Sequence, residues 1–155
     1  MEREKTKKVL LFLKDIDGEI SHNNRMIKDY EDRYYTMDSG TLDGMPKSKY
    51  KTSSPTEITA VNIPESASVA LCGLQKQNEQ LYKLKYAIIQ ELNKLPLSQK
   101  TILYDFYIQG LQWVQISERV YYSGTQCKKI RNRGLDNLAK YFIKNRLIKN
   151  FNYPN

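Results

Sequence analysis

Between Ser123 and Arg133 the chain carries side chains whose chemistry suits recognition better than catalysis. Thr125, Gln126, Lys128, Lys129, Asn132 and Arg133 fall on one side of a helical projection. Cys127, Ile130, Gly134, Leu135, Leu138 and Phe142 fall on the other. Glutamine can meet adenine through two hydrogen bonds, and lysine or arginine can neutralise a phosphate. Ser123 with Gln126 fits a capping box, and the free donors of such a helix start can hold a phosphate. A solvated basic face would show the same pattern, so the reading depends on the neighbouring elements.

Other chemistry finds little support. Asp15, Asp17 and Glu19 alternate along a helix and do not converge on one site. The single histidine, His22, sits in a polar stretch, and Cys72 and Cys127 have no ligand cluster around them. The expectation is two reduced thiols, no metal and no cofactor. No Gly-rich phosphate loop, HExxH or GxSxG occurs, so an enzyme is not expected. No apolar run approaches a membrane span and no signal-peptide pattern opens the chain, so a cytoplasmic protein with no membrane partner is expected.

Charge agrees with a polyanion partner. The 155 residues carry a net +8, but residues 1–36 hold 8 basic and 8 acidic side chains. Residues 96–155 hold 10 basic and 3 acidic, which concentrates the excess in the last part of the chain.

Five segments follow from periodicity and composition, and together they predict an all-α protein. Residues 1–36 read as one long helix in which Val9, Leu13, Ile16, Ile20, Asn23, Ile27, Tyr30 and Tyr34 form a narrow heptad seam. Residues 37–70, rich in Ser, Thr, Pro and Gly, read as a flexible linker whose Lys47, Lys49 and Lys51 belong to a solvated loop. Residues 71–95 repeat the seam through Leu71, Leu74, Asn78, Leu81, Lys85, Ile88, Leu92 and Leu95. An antiparallel hairpin can set Leu13 against Ile88, Ile27 against Leu74 and Asn23 against Asn78. An intermolecular coiled coil competes with that closure.

Residues 96–144 divide into three helices. Pro96 stops the preceding helix, and Ile102, Leu103, Phe106 and Tyr107 give the first one an apolar face that Gly110 ends. Trp113, Ile116 and Val120 mark a short second helix, Tyr121-Tyr122 a turn, and Ser123 opens the third. This is the pattern of a helix-turn-helix, with Ser123, Thr125, Gln126, Lys128, Lys129, Asn132 and Arg133 facing double-stranded DNA. Tyr104, Tyr107, Tyr121 and Tyr122 are expected at half-buried core positions, with Tyr122 a further candidate for a phosphate. Residues 145–155 form a tail that either extends the last helix or adds phosphate contacts.

The run from Leu95-Pro96 through Tyr107-Ile108-Gln109-Gly110-Leu111, Trp113, Ile116, Ser123 and Arg133-Gly134-Leu135 resembles region 4 of sigma-70-type factors. Ser117 and Gly134 stand where that family has alanine, and Cys127 where it has valine. Ile130-Arg131 reverses its usual order of basic and apolar positions, which leaves the face of Arg131 open. The whole chain is similar in architecture to phage late-gene transcription activators of the RinA and ArpU type. That resemblance implies transcription activation and host RNA polymerase as a partner. One such module buries little surface, so a homo-oligomer is expected. A helical protein-interaction adaptor and a phage small terminase-like packaging protein are the competing readings.

Overall fold

The computed structural model describes residues 2–35 and 64–154, and these are all-α. Helix α1 spans Arg3–Tyr35 and α2 spans Glu65–Asn93. Helix α3, Leu97–Leu103, runs into a π turn at Tyr104–Ile108. Helices α4 (Trp113–Val120), α5 (Gly124–Lys144) and α6 (Arg146–Asn150) follow. No helix among the described residues is long and apolar enough to cross a membrane. Residues 37–63 of the expected linker, with Lys47, Lys49 and Lys51, lie outside the described residues.

The linker's expected end is corrected. Helix α2 begins at Glu65 rather than near residue 71. Pro64 supplies the carbonyl that accepts from the Ala67 and Ser68 amides, both at 3.0 Å. Proline lacks only an amide that a helix start leaves unpaired, so it opens a helix as readily as it ends one. Ser66 and Ser68, which suggested loop composition, lie exposed in the first turns.

The chain divides into two compact units, Ile20–Glu79 and the combination of Met1–Glu19 with Gln80–Asn155. In the first unit, buried Asn23 donates from Nδ2 to buried Asn78 Oδ1 at 2.9 Å. Asn78 Nδ2 in turn donates to Asn24 Oδ1 at 2.8 Å. The seam therefore closes within one chain, in the register that pairs the two asparagines. Tyr30 and Tyr34 stack one helical turn apart, with ring centroids 6.4 Å apart.

The second unit holds most of the core. Val9, Leu10, Ile16, Ile88, Ile102, Leu103, Leu135, Leu138 and Phe142 are fully buried. The narrow seam expected of α1 is corrected at its amino-terminal turns, where Thr6, Leu10 and Phe12 are buried as well. The cause is extra partners on the other flank. Phe12 packs against Phe151 at 5.3 Å and edge-on to Tyr153 at 5.6 Å, and Arg3 makes a bidentate ion pair with Asp136 of α5. The Arg3 guanidinium holds the Asp136 carboxyl below the usual carboxylate range.

The tail neither extends α5 nor projects as an arm. Asn145 breaks the helix and its side chain accepts from the Leu147 and Ile148 amides, capping α6. Its Nδ2 also donates to buried Glu91 of α2 at 3.0 Å. Tyr153 donates to the Ile148 carbonyl at 2.9 Å, and burial pushes its phenol up. Asparagine is a poor helix-interior residue because its side chain competes for backbone donors, and here it does so in both directions.

Two glycines test this packing with opposite signs. Gly18 lies exposed inside α1 with no neighbour near a would-be Cβ, so Gly18→Ala should raise unfolding stability by about 0.5–1 kcal/mol. A Cβ on Gly134 would stand 3.0 Å from Leu103 Cδ1 and 3.3 Å from Gln99 Cβ. Gly134→Leu should therefore cost about 2–3 kcal/mol in urea titrations, from overpacking.

Candidate nucleic-acid interface

Helix α3 ends through its glycine. Gly110 takes φ 70°, and the Leu111 amide donates back to the Asp105 carbonyl at 2.9 Å. This closes the carbonyls that the π turn exposes and turns the chain toward α4. The expected single helix from Leu97 to Gly110 is thus two segments, because the Gln109 amide reaches the Tyr104 carbonyl five residues back. The widened turn buries Asp105, which the apolar pattern did not anticipate. Its Oδ1 accepts from Arg119 Nη1 at 3.0 Å.

Helix α4 starts at Gln112, whose amide donates to Gln115 Oε1 at 2.9 Å. Ile116 is buried against Ile102 and Cys127, with Phe106, Leu111, Trp113, Val120 and Ile130 around them. Three residues, Tyr121–Ser123, then separate α4 from α5. Ser123 Oγ accepts from the Gln126 amide at 3.2 Å, and the Cys127 amide donates to the Ser123 carbonyl at 2.9 Å. The expected capping box is corrected to a one-sided cap. The Gln126 side chain lies exposed instead of returning to the Ser123 amide. The glutamine is thereby left available for an outside partner.

The structure places every expected contact residue off the core. Ser123, Thr125, Gln126, Lys128, Lys129 and Arg133 are exposed, and Asn132 is half-buried. Cys127, Gly134, Leu135, Leu138, Ala139 and Phe142 form the buried stripe behind them. Two expected contacts have intramolecular partners as well. Asn132 Oδ1 accepts from Arg131 Nε at 3.1 Å and Nη2 at 3.0 Å, so its acceptor is engaged while its amide donors stay available. The Lys128 ammonium lies 5.8 Å from the centre of the Trp113 ring.

Arg131 is the residue that the sequence left open. Its guanidinium lies 5.1 Å from the Trp113 ring centre and 5.5 Å from that of Phe106. Those two rings stack at 4.4 Å. Arg131 is thus a cation on an aromatic pair, tying α5 to both α4 and the π turn. The neighbouring Phe106 and Trp113 were legible as apolar positions, but the pairing needs the turn geometry. The tyrosine expectation is corrected for three of four residues. Tyr107 is buried, whereas Tyr104, Tyr121 and Tyr122 are exposed. The turn holds Tyr121 in the left-handed region at φ 58° with 93% of its surface exposed, so no packing holds its ring inward.

Comparison with protein-family profiles, curated proteins and solved structures finds no match to this chain. The geometry stands by itself: a capped helix start after a three-residue turn, with its polar residues outward.

Two measurements check these assignments. Tyr121 pays for a left-handed backbone with no buried contact in return, so Tyr121→Gly should raise stability by up to about 1 kcal/mol. A loss of stability would mean that the ring packs somewhere. Burial pushes the Cys127 thiol up, whereas Cys72 is exposed. An aromatic disulfide reagent at neutral pH should therefore titrate Cys72 in the folded protein and Cys127 only after denaturation.

Proposed function

We propose that this chain is a sequence-specific DNA-binding transcriptional regulator of phage or mobile-element late genes. Its α4–turn–α5 segment docks on double-stranded DNA, and host RNA polymerase and further copies of the chain are its other partners. One observation carries the reading. The residues whose chemistry suits base edges and phosphates occupy the outward face of α5 directly after a capped helix start, and their apolar counterparts are buried. Charge supports it. Of the three acidic residues in positions 96–155, Asp105 and Asp136 are engaged by Arg119 and Arg3.

Within that reading Thr125 and Gln126 lie in the first turn of α5, where side chains reach base edges in a major groove. Lys128, Lys129 and Arg133 supply phosphate contacts and steer association. Asn132 offers its amide donors to an acceptor such as a phosphate oxygen or guanine O6. Ser123 holds the helix start in place, so its effect on binding runs through geometry.

The test is titration of the intact protein with duplex selected from a random library and with unselected duplex, at several salt concentrations. The three cationic phosphate contacts predict a loss of about 40-fold in affinity between 50 and 200 mM salt. Lys128→Ala should weaken both duplexes alike and flatten the salt dependence by about one ion. Gln126→Ala should weaken the selected duplex by roughly 1–3 kcal/mol and spare the unselected one. Salt-insensitive binding, or equal losses on both duplexes for Gln126→Ala, would sink the assignment.

A further inference from the structure

The guanidinium of Arg131 is turned onto the protein, 5.1 Å from the Trp113 ring centre and 5.5 Å from that of Phe106. Those rings stack at 4.4 Å, so the cation rests on a packed surface rather than ranging through solvent. From there Arg131 Nε and Nη2 both donate to Asn132 Oδ1, at 3.1 and 3.0 Å. Arginine has no acceptor, so only the oxygen end of the Asn132 amide can face it. The two bonds take up both lone pairs of that oxygen. A flipped amide would set its N–H groups against those of Arg131 and lose both bonds.

What the amide can recognise follows from which end is left. An asparagine that reads adenine uses both ends, Oδ1 accepting from N6 while Nδ2 donates to N7. With Oδ1 engaged by Arg131, Asn132 presents donors alone. Guanine offers two acceptors, O6 and N7, on its major-groove edge. Adenine offers N7 beside an amino group, whose hydrogens oppose those of the asparagine. Cytosine shows only its amino donor, and thymine one acceptor beside a methyl group. Guanine is the best match for a donor-only amide.

Phosphates are the competing target for such donors. Exposed Lys128, Lys129 and Arg133 carry the charge that phosphates attract, whereas half-buried Asn132 is neutral and held in one orientation. A neutral group held in place discriminates by geometry, which suits a base edge. On the DNA reading, on which this step rests, we infer that Arg131 is a positioning residue that makes Asn132 select guanine over adenine. The stacked rings of Phe106 and Trp113, from the π turn and α4, thereby take part in sequence choice without touching a base.

The experiment selects duplexes from a random library with the intact wild type, Asn132→Ala and Arg131→Leu. Leucine keeps hydrocarbon on the two rings and removes the donors. Asn132→Ala identifies the base pair that Asn132 reads, as the one whose preference disappears. In the wild type that pair should be G·C, favoured over A·T by about tenfold in affinity. In Arg131→Leu the freed Oδ1 should turn the preference at that pair to adenine, by a similar factor. Loss of a cation weakens every duplex alike, so the ratio between two bases does not respond to it. Guanine retained in Arg131→Leu, adenine selected by the wild type, or no preference lost in Asn132→Ala would overturn the proposal. If Arg131→Leu fails to fold, Arg131→Met replaces it, and the wild type with Asn132→Ala still decides between guanine and adenine. A wild type that selects no sequence refutes the DNA reading itself, whereas a selective wild type with an unchanged Arg131→Leu refutes only the role of Arg131.

Discussion

The outward face of α5 is set by what its inward face touches at Gly134. With hydrogen in place of a side chain, the α5 backbone lies close enough to α3 that a Cβ would stand 3.0 Å from Leu103. Leu103 is itself fully buried and cannot swing away freely. That contact fixes both the separation and the rotation of the two helices. Once Gly134 faces α3, the helical period carries Leu135, Leu138 and Cys127 inward and Gln126, Lys129 and Arg133 outward. Turning α5 by one residue would bury a lysine and expose leucine, a cost that takes up much of the fold's margin.

Anchoring continues along the same helix by polar means. Arg3 grips Asp136 with two hydrogen bonds, Asn137 donates to Gln99 at 3.1 Å, and Asn145 joins Glu91 to the start of α6. The exposed Arg3–Asp136 pair fixes an orientation more than it adds stability, because exposed ion pairs contribute little. The electrostatic consequence reaches further. Pairing Asp136 and Asp105 within the fold leaves the lysines and arginines of the carboxy-terminal part with few competing carboxylates nearby.

The parts legible from sequence were those governed by period and capping. The stripe of Cys127, Leu135, Leu138 and Phe142 and the turn at Tyr121–Ser123 follow from spacing and capping, whereas spacing offered the Asn23–Asn78 register without deciding between closure within one chain and between chains. What escaped depends on partners distant in the chain. Asp105 reads as an exposed acid until a π turn rotates it toward Arg119. Phe12 looks surplus to a heptad seam until Phe151 and Tyr153 return to cover that flank. Ser66 and Ser68 suggested a loop because composition cannot show whether a proline ends one element or opens the next. The outward placement of Thr125, Gln126, Lys128, Lys129 and Arg133 was legible from the helical period, while Arg131 was ambiguous because its place depends on two aromatic rings from other elements.

Arg131 shows how a basic helix can keep a cation without presenting it outward. A leucine at this half-buried position would pack on Phe106 and Trp113 equally well by area. The guanidinium instead stacks on the rings and still donates two hydrogen bonds to Asn132 Oδ1. It therefore fixes the orientation of a neighbouring side chain on the outward face, which no hydrocarbon could do. Orienting the amide in advance removes part of the ordering entropy that a partner would otherwise have to overcome. Lys128 rests over the same Trp113 ring, so one aromatic platform steadies two cations about one helical turn apart. The core and the outward face of α5 are in this respect one structure, coupled through the stacked pair of rings.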